Sequence, residues 1–330
     1  MAETSDINPI VTMETIPLEM LDEILDKLEP IEKLVCKRVC RKFYGSVNRV
    51  NPGFSSINVL TEGIWFGKLS QGNLLSRGYN HEKPSSPEVS YRNRGNDCLV
   101  RYDRKTKIIE NSNYLDVMVM DLFSVLKSPR LNLKALLFSC DDNSVFAKIH
   151  EMAVRNGLTN IRTEHLLIET HPMHPALTTI FNLFNYNTLH IFFTETNIEG
   201  PNLQLLERRY REIFELVPAG VKVTLFAPWF DTLPIESFLK FKRIELNFKS
   251  FSCLSGRKVG NIIQVLLTSN VLDSCVLSAK YQKDDVIKIL KDEVHFRGNN
   301  NIFKVRIADK NERFSVEVLE KEIKITRIGN

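Results

Sequence analysis

The stretch Ile16 to Phe43, IPLEMLDEILDKLEPIEKLVCKRVCRKF, decides how the rest of the chain is read. Leu18, Leu21, Leu25 and Leu28, with Ile24 beside them, recur at the spacing of one helix face. Pro17 stands where a first helical turn tolerates proline, because that N–H would have no intrahelical partner. Pro30 breaks the pattern. A second stripe, Ile31, Leu34, Val35, Val39 and Phe43, then continues at helical spacing with Lys and Arg between. The spacing predicts two short helices meeting at a proline corner. Helices this short cannot bury both faces by themselves, so they need either a core to join or a partner to cover them.

Outward from this module, 330 residues are too many for one small core and predict two or three domains. A 43% hydrophobic and 25% charged composition is that of a globular protein. The net charge of +4 comes from 44 basic and 40 acidic residues that are mostly interspersed, too mild a balance to argue for nucleic acid. Cys36, Cys40, Cys98, Cys140, Cys253 and Cys275 form neither a CxxC pair nor a dense framework, which predicts reduced thiols and a cytoplasmic or nuclear location. Residues 1–15 carry Glu3, Asp6 and Glu14 and no basic start before an apolar run; they read as a flexible lead and not as a secretory signal. The most apolar run, Leu115 to Leu126, contains Asp116 and Asp121 and is far short of a membrane span.

Asn51-Pro52-Gly53 is a strong breaker, after which short alternating runs begin. Ser56 to Leu60, Ile64 to Leu69, Glu88 to Tyr91 and Asp97 to Tyr102 read as antiparallel strands, and Gly72 to Pro87 as an exposed loop. Asp103-Arg104-Lys105 joins Cys98-Leu99-Val100 to Lys107-Ile108-Ile109 as a hairpin. From Tyr114 the rhythm changes to strands alternating with helices. The strands are Lys134 to Ser139, Glu164 to Glu169, Thr188 to Phe193, Val221 to Phe226, Arg243 to Phe248 and Ser274 to Ser278. The helices are Val145 to Arg155, Pro175 to Phe184, Asn202 to Leu216, Ile235 to Leu239, Arg257 to Thr268 and Asp284 to Lys291. This alternation predicts a parallel sheet with helices packed on it. The first choice is a curved, leucine-rich-repeat-like βα solenoid; a doubly wound sheet is second. Asn301 to Ile307, Arg313 to Leu319 and Glu322 to Ile328 alternate with period two and predict a terminal antiparallel meander that caps the solenoid. The fold class is thus α+β to α/β: a helical module at 16–50, an antiparallel linking sheet at 51–112, and a βα repeat domain with a β cap at 113–330.

The opening stretch resembles the F-box, through Ile16-Pro17, Glu19, Ile24-Leu25, Leu28 and Val39-Cys40-Arg41-Lys42-Phe43, with Ile16 where the family usually has Leu. The larger region is similar to the FTH domain that follows the F-box in a large nematode group. That likeness is carried by Asn96 to Tyr102, Tyr114-Leu115 through Asp121-Leu122, and Ile235 to Arg243. These resemblances imply a receptor that docks on the Skp adaptor of a cullin–RING ubiquitin ligase and presents a target protein with its C-terminal domain. Ile16, Pro17, Leu18, Leu21, Ile24, Leu25, Leu28, Leu34, Val39 and Cys40 would meet the Skp-type adaptor.

Catalytic equipment is not visible in the sequence. It contains no GxxxxGK[ST], GxGxxG after a strand, GxSxG or HExxH. His171-Pro172-Met173-His174 is broken by proline and has no Cys or carboxylate at ligand spacing, so it reads as a βα loop and no metal is expected. Cys36 and Cys40, four apart, read as small buried hydrophobes on one helix, and Asp141-Asp142 as a helix start. Lys37-Arg38 and Arg41-Lys42 read as a solvated basic face. Trp229 and Phe230, on a loop past a strand, are candidates for target binding as well as for packing. Three classes of function follow: a non-catalytic adaptor without cofactor, with a scaffold that acts without ubiquitination as its variant; an α/β hydrolase or transferase; and a nucleic-acid binder. The first is favoured.

Overall fold

The computed structural model describes residues 15–37, 40–50, 52–67, 88–102, 105–128, 130–140, 142–170, 177–193, 202–227, 233–292, 296–299, 301–307 and 312–328. The chain forms two compact units, one built mainly from residues up to Leu133 and the other from Lys134 onward.

The first unit opens with three helices, α1 (Leu18–Lys27), α2 (Pro30–Cys36) and α3 (Arg41–Arg49). The two-helix expectation is corrected here, because the run from Ile31 to Phe43 is not one helix. Lys37 closes α2, and Cys40 is the extended residue that starts α3, with φ −159° and ψ 171°. The apolar residues on either side of that break keep helical spacing by coincidence, which periodicity alone cannot detect. Strand β1 (Ser56–Leu60) is followed by β2 (Gly63–Gly67), β3 (Glu88–Arg94), β4 (Asp97–Tyr102) and β5 (Lys105–Ile109). β2, β3, β4 and β5 form an antiparallel meander, and α4 (Tyr114–Leu126) packs on β3 and β4. Asn113 caps α4 by accepting from the Leu115 N–H at 2.8 Å. Tyr91 fixes the helix to the sheet, donating from its hydroxyl to Asp121 at 2.8 Å.

The second unit alternates β6 (Ala135–Ser139), α5 (Asn143–Arg155), β7 (Ile161–Thr170), α6 (Leu177–Leu183), β8 (Phe184–Phe193), α7 (Asn202–Leu216) and β9 (Lys222–Phe226). A 3₁₀ turn at Ile235–Phe238, in place of the expected helix, leads to β10 (Arg243–Leu254), α8 (Gly256–Leu267), β11 (Ser274–Tyr281) and α9 (Lys283–Asp292). The chain ends in β12 (Phe296–Asn299), β13 (Ile302–Ile307), β14 (Glu312–Val318) and β15 (Glu322–Ile328). The strands form a mixed sheet in the order β12-β13-β14-β15-β11-β10-β9-β8-β7-β6. From β6 to β11 each strand lies parallel beside the next, and the order never reverses. A doubly wound sheet needs such a reversal, so the second-choice topology is excluded for these strands. The meander meets the parallel part through β15, antiparallel to β11, and β12 is a strand that the sequence reading did not foresee.

Two rows of side chains crossing the parallel strands form the core. Leu136, Leu166, Leu189, Val223, Ile244 and Cys275 are in register, as are Phe138, Ile168, Ile191, Leu225, Leu246 and Leu277. All are buried. Strand side chains alternate in direction, so both rows share one face of the sheet. At about 1.5–3 kcal/mol for each large apolar side chain, they supply much of the unit's driving force. Each helix adjoins the next in sequence, with the 3₁₀ turn between α7 and α8. α8 approaches α9 so closely that a Cβ at Gly256 would lie 2.7 Å from Asp285 Cβ.

Candidate protein-interaction site

α1 starts from Pro17, whose carbonyl accepts from the Leu21 N–H at 3.1 Å. Leu21 and Leu25 point inward and pack with Phe43, Val47 and Val50 in a small core flanked by Ile16, Leu28 and Cys36. Polar ties hold the helices in this arrangement. Arg49 of α3 donates to Asp22 of α1 through Nε at 3.2 Å and Nη2 at 3.0 Å, and Lys42 Nζ donates to the Ile16 carbonyl at 2.5 Å. Pro30 is the first residue of α2, and the Glu29 N–H is capped by Glu32 Oε2 at 2.9 Å. Gly53, at φ +82°, lies against this corner: a Cβ there would sit 3.0 Å from Pro30 Cγ.

The apolar arc of α1 is wider than this core can cover. At 3.6 residues per turn, Met20, Ile24, Leu28, Leu21, Leu25 and Leu18 span roughly 160°, whereas a stripe facing one core needs about 100°. The surplus lies on both flanks, with Leu18 44%, Ile24 46% and Met20 55% exposed beside Leu21 at 1% and Leu25 at 0%. Pro17 is also exposed. The named positions therefore divide. Pro17, Leu18, Ile24 and Cys40 are surface; Leu21 and Leu25 are interior; Ile16, Leu28 and Leu34 lie between; and Val39 is outside the described residues. Met20 belongs to the same surface and was missed, although the wheel that places Ile24 also places it.

Two readings of polar and thiol residues are corrected. Cys36 ends α2 and Cys40 is the extended residue before α3; they are half-buried and exposed respectively, and neither is a buried core residue. Lys37 is no solvated charge: it is 8% exposed, donates to the Ser124 carbonyl at 2.5 Å and lies over the Tyr44 ring. Burial, with help from Lys127 and against Asp121, pushes its ammonium down to about 8.

In the other unit, the sheet face opposite the apolar rows is mixed in character and partly covered, with Leu167, His190 and Thr224 on it buried. There the registered positions are Leu137, Leu167, His190, Thr224, Glu245 and Val276, with Thr188, Lys222 and Arg243 one step away. Lys222 pairs with Glu245 at 2.8 Å, and Thr224 donates to the same carboxylate at 3.0 Å. Burial raises the Glu245 carboxyl, but the Lys222 and Thr224 contacts outweigh it and hold the group below its usual value. The His165 and His190 rings lie 5.8 Å apart, and Phe192 stacks on Phe226 at 4.3 Å. Burial, aided by His165 and Lys222, pushes His190 down to about 4, so it is neutral at physiological pH. Both His190 ring nitrogens are buried without a hydrogen-bond partner among the described residues. Asp142 caps α5, accepting from the Ser144 N–H at 2.8 Å, while Asp141, the His171–His174 motif, Trp229 and Phe230 lie outside the described residues. Among the described residues no three His, Cys, Asp or Glu side chains gather as metal ligands, and no helix is long and apolar enough to cross a membrane.

The F-box domain family model matches residues 13–55, the span of α1, α2 and α3. F-box domains bind Skp1-type adaptors within cullin–RING ligases. No curated protein matches the chain.

Proposed function

We propose that this protein is a non-catalytic substrate receptor: its F-box binds a Skp-type adaptor, and its C-terminal unit presents a target protein to a cullin–RING ubiquitin ligase. The observation that carries this reading is the surplus apolar arc of α1 inside the matched span. Such a surface is costly to leave in water and suits a partner that completes it. Pro17, Leu18, Ile24 and Cys40, joined by Met20, would touch the adaptor; Leu21 and Leu25 would shape that surface from within, Ile16, Leu28 and Leu34 would border it, and Val39 is a further proposed contact.

For the C-terminal unit, the unreversed strand order and the helices adjoining in sequence support a leucine-rich-repeat-like solenoid with a C-terminal β cap. The part-exposed Lys222–Glu245 pair on its sheet supports target recognition by this unit, with Trp229 and Phe230 as further proposed contacts. The FTH likeness of Asn96 to Tyr102 and Ile235 to Arg243 is in keeping with this division of labour.

Co-production with a Skp adaptor tests the reading. Capture of the full chain, lost in the double variant Met20→Asp/Ile24→Asp while its melting temperature is kept, is the expected result. A full chain that stays soluble alone and is never captured would overturn it.

A further inference from the structure

The first unit contains a cleft of about 550 Å³ walled by α2, β3, β4, β5 and α4. Its interior is apolar, from Ile31, Leu34, Phe66, Val89 and Val100. Three large side chains at the cleft remain open to solvent: Val35 is 57% exposed, Tyr44 50% and Met120 59%. These come from α2, α3 and α4, so the exposed apolar surface converges on one place and is not scattered.

One wall of the cleft is β5, the last strand in its sheet order, with β4 as its neighbour among the described residues. The register Val100↔Lys107 and Tyr102↔Lys105 puts both lysines on the side of the strand that faces the cleft. Both are exposed, and Lys37 is a third cation on the lining. Among the described residues the lining carries a single carboxylate, Asp121, which already accepts the Tyr91 hydroxyl. Lysine on an edge strand commonly serves to block pairing with other chains. Placed here over an apolar cleft, it also selects the charge of whatever pairs.

We infer that this cleft takes an extended segment of a partner protein that carries acidic and apolar residues together on one face of the strand, at every second position. The segment adds as a strand to β5, its apolar side chains enter the cleft beside Val35 and Met120, and its carboxylates meet Lys105 and Lys107. A strand as long as β5 accommodates about five residues, or roughly 17 Å of chain. The site uses α2, α4 and β5 and not the outer flank of α1; of the residues assigned to the adaptor surface only Leu34, at its border, also lines the cleft.

The test is selection of a random twelve-residue peptide library, displayed on phage, against the full chain. Enriched peptides should carry at least two acidic residues and an apolar one at spacings of two or four, so that all fall on one face of the strand. Synthetic copies should bind Lys105→Glu/Lys107→Glu at least tenfold more weakly, and copies with lysine in place of the acids should bind that variant better than wild type. Val35→Asp should also lose binding, whereas Met20→Asp/Ile24→Asp should keep it. Because Lys105 and Lys107 are exposed, an unchanged melting temperature separates lost binding from lost folding. Enriched peptides without acidic residues, or equal binding to the charge-reversed variant, would overturn the proposal. So would tighter binding after removal of residues 1–14, which would assign the cleft to the chain's own acidic amino-terminal segment.

Discussion

Lys37 and Ser124, 87 positions apart, are joined by a 2.5 Å hydrogen bond from the lysine ammonium to the serine carbonyl. It ties the end of α2 to α4 and so holds the helical module to the antiparallel meander within one unit. A buried ammonium costs free energy that its hydrogen bond only partly returns.

The first prediction follows from that cost. Lys37 titrates near pH 8 when folded, against 10.5 ordinarily. Between these values the unfolded chain binds more protons than the folded one, so the contribution of Lys37 to stability rises with pH across the window and is constant below it. Urea denaturation of wild type and Lys37→Met across this window should show the rise in wild type and its loss in the variant.

His190 acts in the same direction on the acid side. Its folded value is about 4 against an ordinary 6.5, so acidification through this window protonates the unfolded chain first. Stability should therefore fall as pH drops from 6.5 towards 4, and the drop should be shallower in His190→Gln. His165, also lowered by burial, leaves a residual slope.

α1 should separate interior from surface by mutation. Leu25→Ala, at a fully buried site, should cost about 2–5 kcal/mol by denaturant melts. Ile24→Ala, one residue away and 46% exposed, should stay within about 0.5 kcal/mol. Only the surface position should affect adaptor capture without affecting folding.

Gly53→Ala should destabilise the unit by about 1–2 kcal/mol, since the backbone is in the left-handed region. The φ of +82° and the 3.0 Å approach to Pro30 Cγ both act against a side chain there. Thermal melts compared with Gly95→Ala, where φ is +64° but nothing lies within 4 Å, would isolate the steric part.

Asp142→Ala should cost about 1 kcal/mol through loss of the α5 cap, and Asp142→Asn should retain most of it. A much larger effect, or one confined to function and absent from stability, would contradict the capping role.

Local sequence determined the punctuation of this chain. Pro17 and Pro30 mark helix starts because proline costs nothing where no N–H is needed, and both do so here. The F-box string was legible because its residues are local and ordered. The strands β6 to β11 were legible from apolar runs long enough to be buried on a sheet, and β13 to β15 from period-two alternation, whereas the short β12 carries neither signal. Tertiary structure decided what periodicity cannot carry. Leu21 and Ile24 share one apolar arc, and only the placement of α3 makes the first interior and the second surface. Lys37 looks like any surface lysine until α4 closes over it. The cleft beside β5 depends on a strand register and on helices distant in sequence. Spacing along a chain fixes which side chains share a face, but which face is covered depends on contacts between segments far apart.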